Sequence, residues 1–113
     1  PTKSSAASDV YKRQAEVWAQ TQAAELMVRK ASALFEAGQP CGAEANTAKY
    51  LAAEASWKGA DVCMQTFGGF GYAEEYNVER KFREARLYRT APISSNLILG
   101  FIGEHVLGMP RSY

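Results

Sequence analysis

From Ala15 to Phe67 the chain carries two runs of helical periodicity, interrupted only by Gly38-Gln39-Pro40 and the residue that follows. Two helices joined so closely must lie antiparallel as a hairpin and bury a shared stripe. In the first run Val17, Ala24, Met27, Val28, Ala31, Leu34 and Phe35 recur at helical spacing and form one apolar stripe. Glycine suits the position just past a helix, and the proline beyond it prevents continuation. The second run, about residues 42–67, has an inner face of Ala45, Ala48, Leu51, Ala52, Ala55, Gly59, Val62, Cys63 and Thr66. Most of these side chains are small, so a neighbouring helix can approach closely.

A third helix is predicted around Glu79-Arg80-Lys81-Phe82-Arg83-Glu84-Ala85-Arg86, with Val78, Phe82 and Ala85 on its apolar side. Glu79 with Arg83 and Arg80 with Glu84 are i, i+4 pairs on what reads as a solvated face. Pro92 breaks the pattern. A last helix starts near Ser94-Ser95-Asn96, buries Leu97, Ile98, Phe101, Ile102 and Val106, and is closed by Gly108 and Pro110. No segment alternates with period two. The fold class is therefore all-α, an antiparallel helical bundle, and an incomplete four-helix bundle because one helix is expected upstream.

A chain of 113 residues with 47% hydrophobic content fits one small globular domain. Its formal charge of +1 is spread as alternating signs, which disfavours nucleic acid as a partner. Cys41 and Cys63 form no C-x-x-C pair and there is one histidine, so no metal site is expected and a reduced, cytoplasmic setting is. No apolar run reaches the length of a membrane span. Residues 1–14 lack the periodicity that follows and resemble translated sequencing adapter. They are set apart as a non-native or disordered leader, leaving residues 15–113 as the domain.

The second helix runs straight into Gln65-Thr66-Phe67-Gly68-Gly69-Phe70-Gly71-Tyr72, three glycines in a run of four. Such a cluster is either a helix stop through a left-handed cap or a loop that lets a ligand approach the backbone. The order is not G-x-G-x-x-G, no strand precedes it and no Gly-Lys-Ser/Thr follows, so neither a dinucleotide turn nor a P-loop is supported.

That octet, followed by Glu75-Tyr76-Asn77-Val78-Glu79-Arg80 and Arg83-Glu84-Ala85-Arg86, resembles the signature of the C-terminal helical domain of acyl-CoA dehydrogenases, a likeness covering residues 15–113. The resemblance implies an FAD-dependent flavoprotein oxidoreductase of fatty acid metabolism that converts an acyl-CoA substrate to the 2,3-enoyl-CoA. It further implies an electron-transferring flavoprotein as acceptor and a homo-oligomer, commonly a homotetramer. Gln65, Thr66, Phe67, Gly68 and Gly69 would then lie against the ADP half of FAD held by a neighbouring subunit. Ser94, Ser95 and Asn96 would form a second flavin contact, where a helix start offers N–H groups to phosphate. A plain helix cap by Ser94 or Ser95 is the alternative.

The pattern breaks at Pro92. In ungapped register it stands where many relatives carry the catalytic glutamate, and proline cannot take a proton. No catalytic residue is therefore assigned in this chain; Glu84, Glu104 and His105 are poor substitutes. Two other readings follow: a stand-alone, non-catalytic helical oligomerisation module, and a fragment of an acyl-CoA oxidase-like flavoenzyme.

Overall fold

A computed structural model of the chain describes residues 5–111. Helix α1 (Ser5–Glu36) and helix α2 (Gly42–Phe67) form the expected antiparallel hairpin. At its turn Gly38 sits at φ +70°, its N–H donates to the Phe35 carbonyl, and the Gln39 N–H donates to the Leu34 carbonyl. This pairing of two crossed bonds after a left-handed glycine satisfies the last carbonyls of α1.

Two short 3₁₀ turns (Gly68–Tyr72 and Glu74–Tyr76) lead to α3 (Val78–Leu87). Helix α4 (Ser95–Phe101) follows, and its last turn loosens into a π-helical segment (Ile102–Val106). There is no strand among the described residues.

The hairpin seam is narrower than the sequence predicts. Val17, Ala24, Met27, Ala31 and Leu34 are buried or half-buried, whereas Val28 and Phe35 are exposed. The first five repeat at the spacing of a two-helix seam, and with α2 as its neighbour α1 cannot cover the flanking positions. Ala45, Ala52 and Thr66 of α2, expected inside, are exposed for the same reason. The close approach is real: a methyl group built on Gly59 would meet Val17 Cγ1 at 3.3 Å.

Helix α2 has a second working face that the periodicity did not reveal. Ala53 is buried there, and the Trp57 ring meets Phe82 with centroids 4.8 Å apart. Arg86 and Arg89 place their guanidinium carbons 5.2 and 5.9 Å from the Trp57 ring centroid. The charge run on α3 is thus solvated on one side only. The Glu79–Arg83 and Arg80–Glu84 pairs do form there, at 2.9 and 3.6 Å. Val78 and Ala85 are buried as expected, and Phe82 is half-buried.

In α4, Ile98 is 1% exposed, Phe101 and Ile102 are half-buried, but Leu97 and Val106 face outward. The π-helical turn, in which the Leu107 N–H donates to the Ile102 carbonyl at 3.0 Å, rotates Val106 off the buried side.

Helix α1 begins at Ser5 rather than near Ala15. Ala6, Ala7, Lys12, Arg13 and Gln14 are favourable helix formers, so the leader continues the helix without adding an apolar stripe. Residues 5–14 are thus helical, and residues 1–4 of the leader lie outside the described residues.

Between α1, α2 and α3 an open groove of about 710 Å³ is lined by Val17, Val28, Ala52, Gly59 and Tyr88 among others. Trp18, Leu26 and Phe35 of α1 are 66%, 69% and 75% exposed. No described helix is long and apolar enough to cross a membrane.

Candidate functional site

The three glycines after α2 do three different things. Gly68 ends the helix at φ +60°, ψ −135°, a conformation that essentially only glycine tolerates, and its N–H is committed to the Met64 and Gln65 carbonyls. Gly71 is buried, and a methyl group there would sit 3.1 Å from the Met64 carbonyl oxygen and 3.2 Å from its sulfur. Gly69 is exposed, lies outside the positive-φ region, and has no neighbour within 4 Å of a built Cβ. Conformation and packing therefore account for Gly68 and Gly71 but leave Gly69 without a structural reason.

Around that loop Gln65, Thr66 and Phe67 are all exposed. The Gln65 Oε1 accepts from Arg13 Nη1 at 2.5 Å, and the Thr66 hydroxyl donates to the Val62 carbonyl at 2.8 Å. Phe67 and Phe70 both meet the Tyr76 ring edge-on, with centroids 5.7 Å apart. A groove of about 630 Å³ beside the loop is lined by Met64, Gln65, Gly68, Tyr72, Phe82 and Arg83. Asp61 and Glu79 also line it, the latter paired with Arg83 at 2.9 Å.

The second predicted contact lies elsewhere. The Ser94 Oγ accepts from the Leu97 N–H at 3.2 Å, a helix N-cap of the usual kind, worth about 1 kcal/mol. Its hydroxyl proton remains available to a second partner. The Ser95 Oγ is 3.4 Å from both Glu54 Oε1 and the Arg89 carbonyl, so its single proton is shared between α2 and the turn itself. Asn96 is exposed. Because α4 has seven residues, its dipole is small, and side chains rather than the helix start carry any ligand contact here.

These two sets are not brought together within one chain. Residues 94–96 pack near Glu54, and Gln65 stands about 16 Å further along the same helix at 1.5 Å per residue. A single compact ligand on one chain therefore could not touch both sets.

Pro92 is exposed in the turn between α3 and α4. Glu54, which reaches the segment around it through Arg89 and Ser95, is bound by Arg89 Nε at 2.8 Å, and Glu84 lies within 3.6 Å of both Arg80 and Lys81. Glu104 is 3.6 Å from His105, whose ring rests against Phe101. Each of these three carboxylates, among the described residues, has a basic side chain within 3.6 Å. They also contain no cluster that could hold a metal.

Sequence reading missed Lys49, Glu54 and Arg89, which tie α2 to this turn. The available signal was the spacing of Lys49, Ala53 and Trp57, four apart each time on the side of α2 away from the small-residue stripe.

The family model for the acyl-CoA dehydrogenase C-terminal domain matches residues 4–107. Acyl-CoA dehydrogenase FadE12 of Mycobacterium tuberculosis is 47% identical over 92 residues, covering 80% of this chain and 24% of the relative. The short/branched chain specific acyl-CoA dehydrogenase of Rattus norvegicus mitochondria is 38% identical over 92 residues, covering 81% of this chain and 21% of that protein. A 3-(aryl)acrylate reductase of Clostridium sporogenes is 37% identical over 65 residues, covering 58% of this chain and 17% of its own. The chain spans about a quarter of the length of the first of these relatives. With its helical hairpin, its glycine loop and this match along most of its length, the chain belongs to the acyl-CoA dehydrogenase family, in the region of the C-terminal helical domain.

Proposed function

We propose that the chain is the C-terminal part of an FAD-dependent acyl-CoA dehydrogenase, with residues 15–113 lying within its helical domain. When bound, FAD would supply the acceptor for the β-hydride of an acyl-CoA whose α-proton goes to a carboxylate base, the two losses together giving the 2,3-enoyl-CoA. In this reading the chain supplies binding groups and subunit contacts, and the base comes from a segment upstream because Pro92 cannot serve.

The observation that carries the reading is Gly69, an exposed glycine that neither conformation nor packing requires. A missing Cβ at that point lets a phosphate-bearing ligand lie against the backbone. Gln65 offers an amide that both donates and accepts. The residues fit the ADP half of FAD held by a neighbouring subunit, and Ser94 and Asn96 fit a hydroxyl and amide contact to a flavin, with Ser95 turned inward. The exposed apolar side chains of α1 suit an oligomer interface. The partners are then an acyl-CoA and an electron-transferring flavoprotein, in a cytoplasmic homo-oligomer.

Anaerobic mixing of acyl-CoA thioesters of several chain lengths with the full-length flavoprotein tests this. Bleaching of the flavin band by at least one thioester is expected. Failure of all of them, with FAD bound, would rule out the dehydrogenase. Rapid oxygen consumption during turnover would instead favour the oxidase-like reading.

The exposed Trp18, Leu26 and Phe35 would equally suit a stand-alone oligomerisation module. An open reading frame extending upstream into a β-domain and a further helical domain would dismiss it.

A further inference from the structure

We propose that Lys49 and Glu54 are positioning residues that set the geometry of the turn carrying Ser94 and Asn96, and through it the affinity for flavin. The inference rests on the reading of Ser94 and Asn96 as flavin contacts. It starts from a turn that the hydrophobic core does not explain. No side chain among residues 88–93 is buried, yet this short segment is fixed from α2 at both of its ends.

The Lys49 ammonium donates to the Tyr88 carbonyl and, at 3.1 Å, to the Ile93 carbonyl. These carbonyls stand on either side of Pro92, so one cation clamps both limbs of the turn. Glu54 repeats the arrangement with opposite charge. Its Oε1 accepts from Arg89 Nε at 2.8 Å on the first limb and lies 3.4 Å from the Ser95 hydroxyl on the second. The Ser95 N–H then donates to the Arg89 carbonyl at 2.9 Å and closes the loop on itself.

The Glu54–Arg89 pair is partly withdrawn from water, with side chains 32% and 29% exposed. Charge-assisted bonds in such surroundings hold geometry better than exposed pairs do. Ala53, between Lys49 and Glu54 in sequence, is buried on α2. The consequence is that Ser94 and Asn96 leave a turn whose two limbs are held apart at a fixed width. Binding groups perform only when supporting residues hold them to within a fraction of an ångström.

The test uses the full-length flavoprotein stripped of FAD and reconstituted by titration. Lys49→Met keeps the stem and removes the cation; it is expected to raise the FAD dissociation constant roughly tenfold to hundredfold and to shift the visible flavin absorption. Lys49→Arg should restore most of the affinity. Glu54→Gln keeps an acceptor but loses the charge, and should move both readouts the same way by less. If Lys49→Met does not fold, Glu54→Gln carries the test alone. Variants that melt earlier yet bind FAD within twofold of the parent, with an unchanged spectrum, would overturn the proposal. A Ser94→Ala/Asn96→Ala double variant separates the two levels. If it binds FAD normally, the flavin-contact reading fails and the positioning role falls with it. If it binds weakly while Lys49→Met and Glu54→Gln bind normally, only the positioning role fails.

Discussion

Ile98→Ala is expected to lower the stability of the chain by about 3 kcal/mol, within the range of about 2–5 kcal/mol for deleting a fully buried isoleucine side chain. Ile98 is 1% exposed and sits on α4, which packs against α2. The other buried apolar residues are alanines and valines, which makes Ile98 the one large fully buried side chain among the described residues. Helix α4 has seven residues and little intrinsic stability, so loosening its one deep anchor should release the π-helical segment too. Leu97, the adjacent residue, is 68% exposed and provides the control. Leu97→Ala should change stability by no more than about 0.5 kcal/mol. Urea unfolding monitored by circular dichroism reads both, with a lower midpoint and unchanged slope expected for Ile98→Ala. Equal midpoints for the two variants would show that α4 does not dock as described.

The second large effect is a separation of roles among the three glycines. Gly69→Val should leave the stability of the apo-protein within about 0.5 kcal/mol of the parent, because nothing lies within 4 Å of the built Cβ and its φ is not positive. In the full-length flavoprotein the same change should weaken FAD binding about a hundredfold, about 2.7 kcal/mol, by placing a branched side chain where the ligand meets the backbone. Gly68→Ala and Gly71→Ala, by contrast, should lower the stability of the apo-protein. Alanine at φ +60°, ψ −135° is strained by about 1–3 kcal/mol. Alanine at residue 71 is forced against the Met64 backbone carbonyl, and overpacking of that kind costs about 1–3 kcal/mol. Chemical unfolding together with FAD titration distinguishes the patterns. Loss of stability in Gly69→Val with unchanged flavin affinity would return the whole cluster to a helix stop.

What was legible in the sequence was whatever depended on local pattern. The hairpin follows from two stripes and a glycine-proline break, and Ser94 announces the cap it makes. The width of a buried stripe is not local, because it depends on how many neighbours cover it. Val28, Phe35, Leu97 and Val106 fit the periodicity and are exposed for want of a covering element or, in the case of Val106, because of a π-helical turn. Ala53 and Trp57 escaped notice because α2 serves two partners while its small residues advertise only one. At the candidate site, the glycine cluster was visible but its division of labour was not, since it rests on one ψ angle and on the position of Met64. The spacing on α2 marked the face that carries Lys49, but what Lys49 and Glu54 hold lies some forty residues away and leaves no local pattern.

The central claim is that this chain supplies contacts to a flavin held mainly by other parts of the protein. Fluorescence titration of FAD into the 113-residue chain, and into the same chain extended upstream through its remaining domains, tests it most directly. No saturable binding is expected for the chain alone, and one FAD per subunit for the extended protein. One equivalent of tightly bound FAD per copy of the chain alone would contradict the account.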